Sequence, residues 1–196
     1  MQKLNICIDI DGTVTEPNYW LSRANQYFAT NIKPKDVIVY EIYDILGITQ
    51  KDYDKFYELY GETLHRESKI RLGAKEVISK LYDYHNIHFV TAREEKMRKV
   101  TVEWLTDNQI QMDSISLLGS NNKVHKAKEL SSDIFIEDRY ENAISLSQSG
   151  FDVLLIDCSY NRGILPSNIK RIKHWYEILN IAESRSQQLY NRYKLA

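Results

Sequence analysis

Five short apolar runs punctuate the chain, each bounded by polar residues: 4–8, 87–91 (IHFVT), 114–118 (SISLL), 133–138 (DIFIED) and 153–157 (VLLID). Apolar runs this short predict strands buried on both faces, as in the middle of a parallel sheet. Segments of helical spacing lie between them. The first covers 74–84, where Val77, Ile78 and Leu81 share a face; others cover 95–106, 124–130 and 140–149. Strands alternating with helices of this length predict βαβ units with right-handed crossovers. The expected fold class is therefore α/β, a Rossmann-like parallel sheet of five main strands with helices on both faces. A last helix over 178–189 should pack on that core.

One interval breaks the alternation. Between residues 16 and 72 the pattern is helical, without a convincing strand. Tyr53, Phe56, Tyr57, Tyr60 and Leu64 fall on one helical side. Lys33-Pro34 and Leu46-Gly47 predict breaks between short helices. A helical insertion right after the first strand would sit over the sheet's C-terminal edge, where open α/β sheets bind ligands.

Composition narrows the setting. With 196 residues, 43% hydrophobic and 27% charged, the chain suits one substantial core with a small insertion. A net charge of -1 provides no electrostatic case for binding a nucleic-acid polymer or a membrane surface. No apolar stretch approaches membrane-spanning length, and the N-terminus shows no targeting succession. Cys7 and Cys158 lie in or beside apolar runs without CxxC spacing, reading as small core residues of a reduced, cytoplasmic protein.

The candidate chemistry lies at the strand ends. ICIDIDGT, residues 6–13, closes an apolar strand with Asp9 and Asp11, which point the same way in extended chain. Thr91, Ala92 and Arg93 end the second strand, Lys123 opens the helix after the third, and Glu137-Asp138-Arg139 end the fourth. A parallel sheet brings all of these to one edge. Each has a use in phosphoryl transfer: a carboxylate such as Asp9 can attack phosphorus. A divalent cation, Mg²⁺, would offset charge repulsion, with Asp9, Asp11 (through its backbone carbonyl) and Asp138 as ligands. Thr91, the N–H groups at Ala92 and Lys123 could hold phosphate oxygens, leaving Asp11 for proton transfer. Arg93 and Arg139 read either as phosphate braces or as ion pairs. Tyr19 and Trp20, nearest the pair in sequence, are the candidates for stacking on a substrate ring. The five histidines show no metal-ligand spacing.

DIDGT followed by TAR, a lysine and IEDR resembles the haloacid dehalogenase superfamily of aspartate-nucleophile phosphatases, with the four motifs in order across most of the chain. The closer resemblance is to the 5'(3')-deoxyribonucleotidase-like branch, and the tail YNRGILPSNIKRIKHWYEI looks like that of bacterial nucleotidases. That resemblance implies Asp9 as nucleophile, Asp11 as acid/base, Thr91 and Lys123 on phosphate, Asp138 on the metal and Glu137 supporting. It also implies a helical cap over 17–70 on a catalytic core of 1–16 and 71–196. The expected activity is Mg²⁺-dependent hydrolysis of a small phosphorylated substrate, foremost a nucleoside monophosphate, with a homodimer left open. Another small phosphomonoester, such as a sugar phosphate, is the alternative within enzymes. A non-catalytic phospho-ligand-binding regulator is the alternative outside them, and it has no need of Asp11. The chain has no G-x-x-x-x-G-K-[ST], which excludes a P-loop NTPase. Receiver domains lack both DxD on strand one and this insertion.

Overall fold

The computed structural model describes residues 2–195. Its sheet has six parallel strands: β1 (Asn5–Ile8), β2 (Asn86–Thr91), β3 (Ser114–Leu117), β4 (Ile134–Glu137), β5 (Val153–Ile156) and β6 (Ile169–Ile172), in spatial order β3-β2-β1-β4-β5-β6. The five expected strands are present. The sixth was not legible because Ile-Lys-Arg-Ile has apolar residues only at its ends, with Lys170 exposed. It is an edge strand, and charged side chains there discourage further pairing.

The helices are α1 (Leu21–Phe28), α2 (Ile42–Leu46), α3 (Gln50–Glu67), α4 (Ala74–Tyr82), α5 (Arg98–Asp107), α6 (Val124–Glu129), α7 (Tyr140–Gln148) and α8 (Glu177–Leu195). Residues alternate along the strands between two apolar layers. Ile6, Ile8, Phe89, Ile136 and Ile156 face a core shared with Val77, Ile78, Leu105 and Ile178. Cys7, Val90, Phe135 and Leu155 face the other, with Ala127, Ala143 and Leu146. Burying strands on both faces requires these near-continuous apolar runs.

Residues 17–70 build a third cluster of their own from Trp20, Leu21, Ala24, Val37, Leu46, Phe56 and Leu64. The breaks read from sequence have local causes. Gly47 ends α2 in a left-handed conformation (φ 65°), and Pro34 opens a single 3-10 turn. Thr49 caps α3 by accepting from the Asp52 N–H. The two chain segments that join this block to the sheet are tied to each other. Thr15 and Ile70 form an antiparallel bridge, flanked by Glu16 N–H to Lys69 O (2.8 Å) and Arg71 N–H to Val14 O (2.8 Å).

Among the described residues, no helix is long and apolar enough to cross a membrane.

Candidate active site

The strand order reverses at β1, which has β2 on one side and β4 on the other. Such a switch point opens a crevice beyond the strand ends. Ile8 is in register with Ile136, and the Asp9 N–H extends the ladder to the Ile136 carbonyl at 3.0 Å. That register sets Asp9 beside Glu137 and Asp138.

Asp9, Glu137 and Asp138 are all buried, with carboxylate oxygens within 4.8 Å of one another. Lys123, also buried, donates to Asp9 Oδ1 and to Glu137 Oε2, the latter at 2.8 Å. Burial alone would lower the Lys123 pKa; the Asp9 and Glu137 charges outweigh it and hold the ammonium protonated. Burial pushes the Asp9 carboxyl up against the pull of Lys123. Burial, joined by the Glu137 charge, pushes Asp138 up to about 7. One ammonium thus faces three buried carboxylates. Hard oxygen donors with surplus negative charge suit a divalent cation such as Mg²⁺. Glu137 is fixed through its other oxygen by the Arg139 N–H (3.1 Å) and Asn142 (3.3 Å).

Gly12 has φ +77°, and a Cβ there would lie 2.2 Å from Asp138 Oδ2. Glycine is therefore required for two reasons, the left-handed backbone and the close approach of a carboxylate. Thr13 bridges the pair at a looser distance, its hydroxyl 3.4 Å from Asp9 Oδ2 and 3.3 Å from Asp138 Oδ1.

Asp11 is not part of the three-carboxylate cluster, so its backbone carbonyl is the group it could offer a metal there. Its side chain turns toward Arg93, which donates from Nε to Oδ2 (2.9 Å) and from Nη2 to Oδ1 (2.6 Å). Burial would raise the Asp11 carboxyl, but the Arg93 charge and hydrogen bonds, with His65 and Tyr19, hold it well below the usual range. Thr91 is buried at the end of β2, where its hydroxyl accepts from the Arg93 N–H at 3.2 Å. Ala92 lies in the wall beside it.

Above this floor lies a cavity of about 350 Å³, with Asp11, Gly12 and Asp138 below and Tyr40, Tyr53 and Tyr57 of the helical block around it. A larger open groove of about 980 Å³ runs along α4, but it contains none of the strand-end residues and so does not bear on this chemistry. Tyr19 and Trp20 both line the cavity; Trp20 is rooted in the apolar cluster of the helical block, whereas the Tyr19 hydroxyl donates to Asp11 Oδ1 at 2.9 Å. Arg139 reaches into the helical block. It pairs with Glu41 at 2.7 Å and lies over the Tyr40 ring at 4.1 Å from its centre.

Several site neighbours were missed in the sequence. Tyr160, in the loop after β5, donates to Asp138 Oδ2, and Asn161 donates to the Asp138 carbonyl at 2.6 Å. Arg71 donates to the Gly12 carbonyl at 2.7 Å. The signal available for Tyr160 and Asn161 was topological, since β5 ends on the same edge as β1 and β4.

A parallel sheet in this order, with an aspartate pair after β1 and a lysine and acidic pair at neighbouring strand ends, defines a hydrolase of the haloacid dehalogenase type. Solved structures agree on the fold. A haloacid dehalogenase-like hydrolase of Streptococcus pneumoniae superposes with TM-score 0.70 at 13% identity, covering 91% of this chain and 98% of that one. Another, from Xanthomonas campestris, gives 0.66 at 9% identity, covering 95% and 97%. Residues 2–189 match the family described as 5' nucleotidase, deoxy (pyrimidine), cytosolic type C, and the chain belongs to it. A nucleotidase of Clostridium acetobutylicum is 47% identical over 183 residues, which is 93% of this chain and 95% of that one. The protein is thus a phosphoric monoester hydrolase of the nucleotidase kind.

Proposed function

We propose that the chain hydrolyses nucleoside monophosphates, deoxyribonucleotides among them, through a phosphoryl-aspartate on Asp9, with Mg²⁺ held by Asp9, Asp138 and the Asp11 carbonyl. The observation that carries this reading is the buried Asp9–Lys123–Glu137–Asp138 cluster beneath a cavity that Asp11 also faces. When bound, the cation would screen the negative charge of the phosphate from that of Asp9.

An Asp9 oxygen attacks phosphorus as the ester P–O bond breaks; Asp11, ionised in the free protein, takes the proton carried by a monoanionic phosphate ester and passes it to the leaving oxygen. Asp11, again a carboxylate, takes a proton from the water that attacks the phosphoryl group, and the bond to Asp9 breaks to release phosphate. Lys123 and the N–H groups near Ala92 stabilise the charge that spreads over the phosphoryl oxygens. Thr91 supports that site from the strand end. Residues 17–70 act as a cap that excludes water, with Arg139–Glu41 tying it down.

Turnover of nucleoside monophosphates and sugar phosphates by purified protein with Mg²⁺ tests the assignment. Higher kcat/KM on nucleotides is expected; equal or higher values on a sugar phosphate would replace the nucleotide with that substrate class.

A further inference from the structure

Asp11 is held from two sides, and the second belongs to the helical block. The Tyr19 hydroxyl lies 2.9 Å from Asp11 Oδ1. His65, buried in the last turn of α3, places Nδ1 3.4 Å from that same hydroxyl. Its Nε2 is 2.7 Å from the hydroxyl of Tyr57, two turns earlier on the helix.

Donor and acceptor capacity orders this chain. A carboxylate only accepts, so the single Tyr19 proton goes to Asp11. The Tyr19 oxygen then accepts from the His65 Nδ1–H. In a neutral imidazole that leaves Nε2 as an acceptor, filled by the Tyr57 hydroxyl. Every bond in the series points toward Asp11.

The two carboxylate oxygens are treated unequally. Oδ1 accepts from both Arg93 Nη2 (2.6 Å) and Tyr19, while Oδ2 accepts from Arg93 Nε alone (2.9 Å). Oδ2 therefore keeps a lone pair free for a transferable proton.

We propose that Tyr19 and His65, braced by Tyr57, are positioning residues that occupy Asp11 Oδ1 and so reserve Oδ2 for proton transfer to the leaving oxygen. The proposal rests on the acid/base role read for Asp11 above. It also assigns the Tyr19 hydroxyl to Asp11 rather than to substrate. Because these three residues come from the helical block and Asp11 from the sheet edge, the alignment is complete only when the two are together.

Leaving groups separate this role from a structural one. A p-nitrophenolate departs without a proton, whereas an alkoxide needs one. In Tyr19→Phe and His65→Leu, kcat/KM, which reports the phosphoryl-transfer step and not the shared hydrolysis of the phosphoryl-aspartate, should fall about tenfold more on an alkyl phosphomonoester than on p-nitrophenyl phosphate. Asp11→Asn should show the same split more sharply. His65→Asn, whose amide can replace the Nδ1 donor, should recover part of the loss. Tyr19→Phe removes one oxygen and keeps the ring, so it carries the test if His65→Leu fails to fold. Equal losses on both esters in Tyr19→Phe would overturn the positioning role, as would a rise in KM confined to nucleotides. Wild-type protein that hydrolyses neither ester with Mg²⁺ would instead remove the phosphatase reading, and the positioning role with it.

Discussion

Arg93 grips both carboxylate oxygens of Asp11, at 2.9 and 2.6 Å, from a side chain that is itself buried. Arg93 is buried but the Asp11 side chain is 27% exposed, so breaking the pair from the arginine side leaves a partly solvated charge behind. Arg93→Gln should therefore cost about 2 kcal/mol of stability. The double variant Asp11→Asn/Arg93→Gln should recover much of that, since no carboxylate is left stranded. Urea unfolding of the two single variants and the double one measures the coupling. Simple additivity would show that the pair contributes nothing as a pair.

Lys123 is the sole ammonium donating to Asp9 and Glu137 among the described residues. In Lys123→Met those carboxylates lose their counter-charge, so the metal-free protein should melt several degrees lower. Added Mg²⁺ should then raise Tm more in the variant than in wild type, because the cation replaces the missing positive charge. Turnover should fall at least about a hundredfold from lost phosphate stabilisation. A variant that melts like wild type and keeps its rate would remove Lys123 from the site.

Gly12→Ala places a methyl 2.2 Å from Asp138 Oδ2, on a backbone that L residues rarely adopt. Asp138 must move, so the Mg²⁺-dependent rise in Tm should shrink or disappear. Stability without metal should fall by about 1–2 kcal/mol. Gly150→Ala, also at positive φ but with nothing within 4 Å, is the control for backbone strain alone. An unchanged Mg²⁺ response in Gly12→Ala would contradict the close packing of this turn against the metal side.

His65 is pushed down to about 4 by burial and the Arg93 charge, against the pull of Asp11. Its folded pKa lies below the unfolded one, so the unfolded chain binds the extra proton as pH falls from about 6.5 toward 4. Stability from this group is full at neutral pH and declines on acidification, by about 2 kcal/mol at pH 5. The loss of stability between pH 7.5 and pH 5 should thus be smaller in His65→Gln than in wild type. Chemical unfolding at the two pH values checks it, and equal losses would mean that His65 titrates normally in the folded protein.

Much of this arrangement is legible in the amino-acid sequence. Strands buried on both faces must be apolar, so β1 through β5 stood out, and their parallel order carried Asp9, Thr91, Lys123 and Asp138 to one edge. β6 escaped because half of its residues are charged. The helical block was legible as helices, but periodicity explains only how Phe56 and Leu64 form a core. It says nothing about which helical residues lean across the crevice. Tyr57 falls in the apolar stripe of its helix and His65 is one of five histidines without metal-ligand spacing, so the chain they form toward Asp11 depends on how the block sits on the sheet. Tyr160, Asn161 and Arg71 come from loops, where side-chain direction is set by tertiary contacts that no local pattern encodes.

The central claim is covalent chemistry at Asp9. Protein mixed with Mg²⁺ and a nucleoside monophosphate, quenched in acid and digested, should yield the peptide spanning Asp9 with one added phosphoryl group by mass spectrometry. Asp9→Asn should yield none and should release no phosphate. Phosphate release at the wild-type rate by Asp9→Asn would contradict the account.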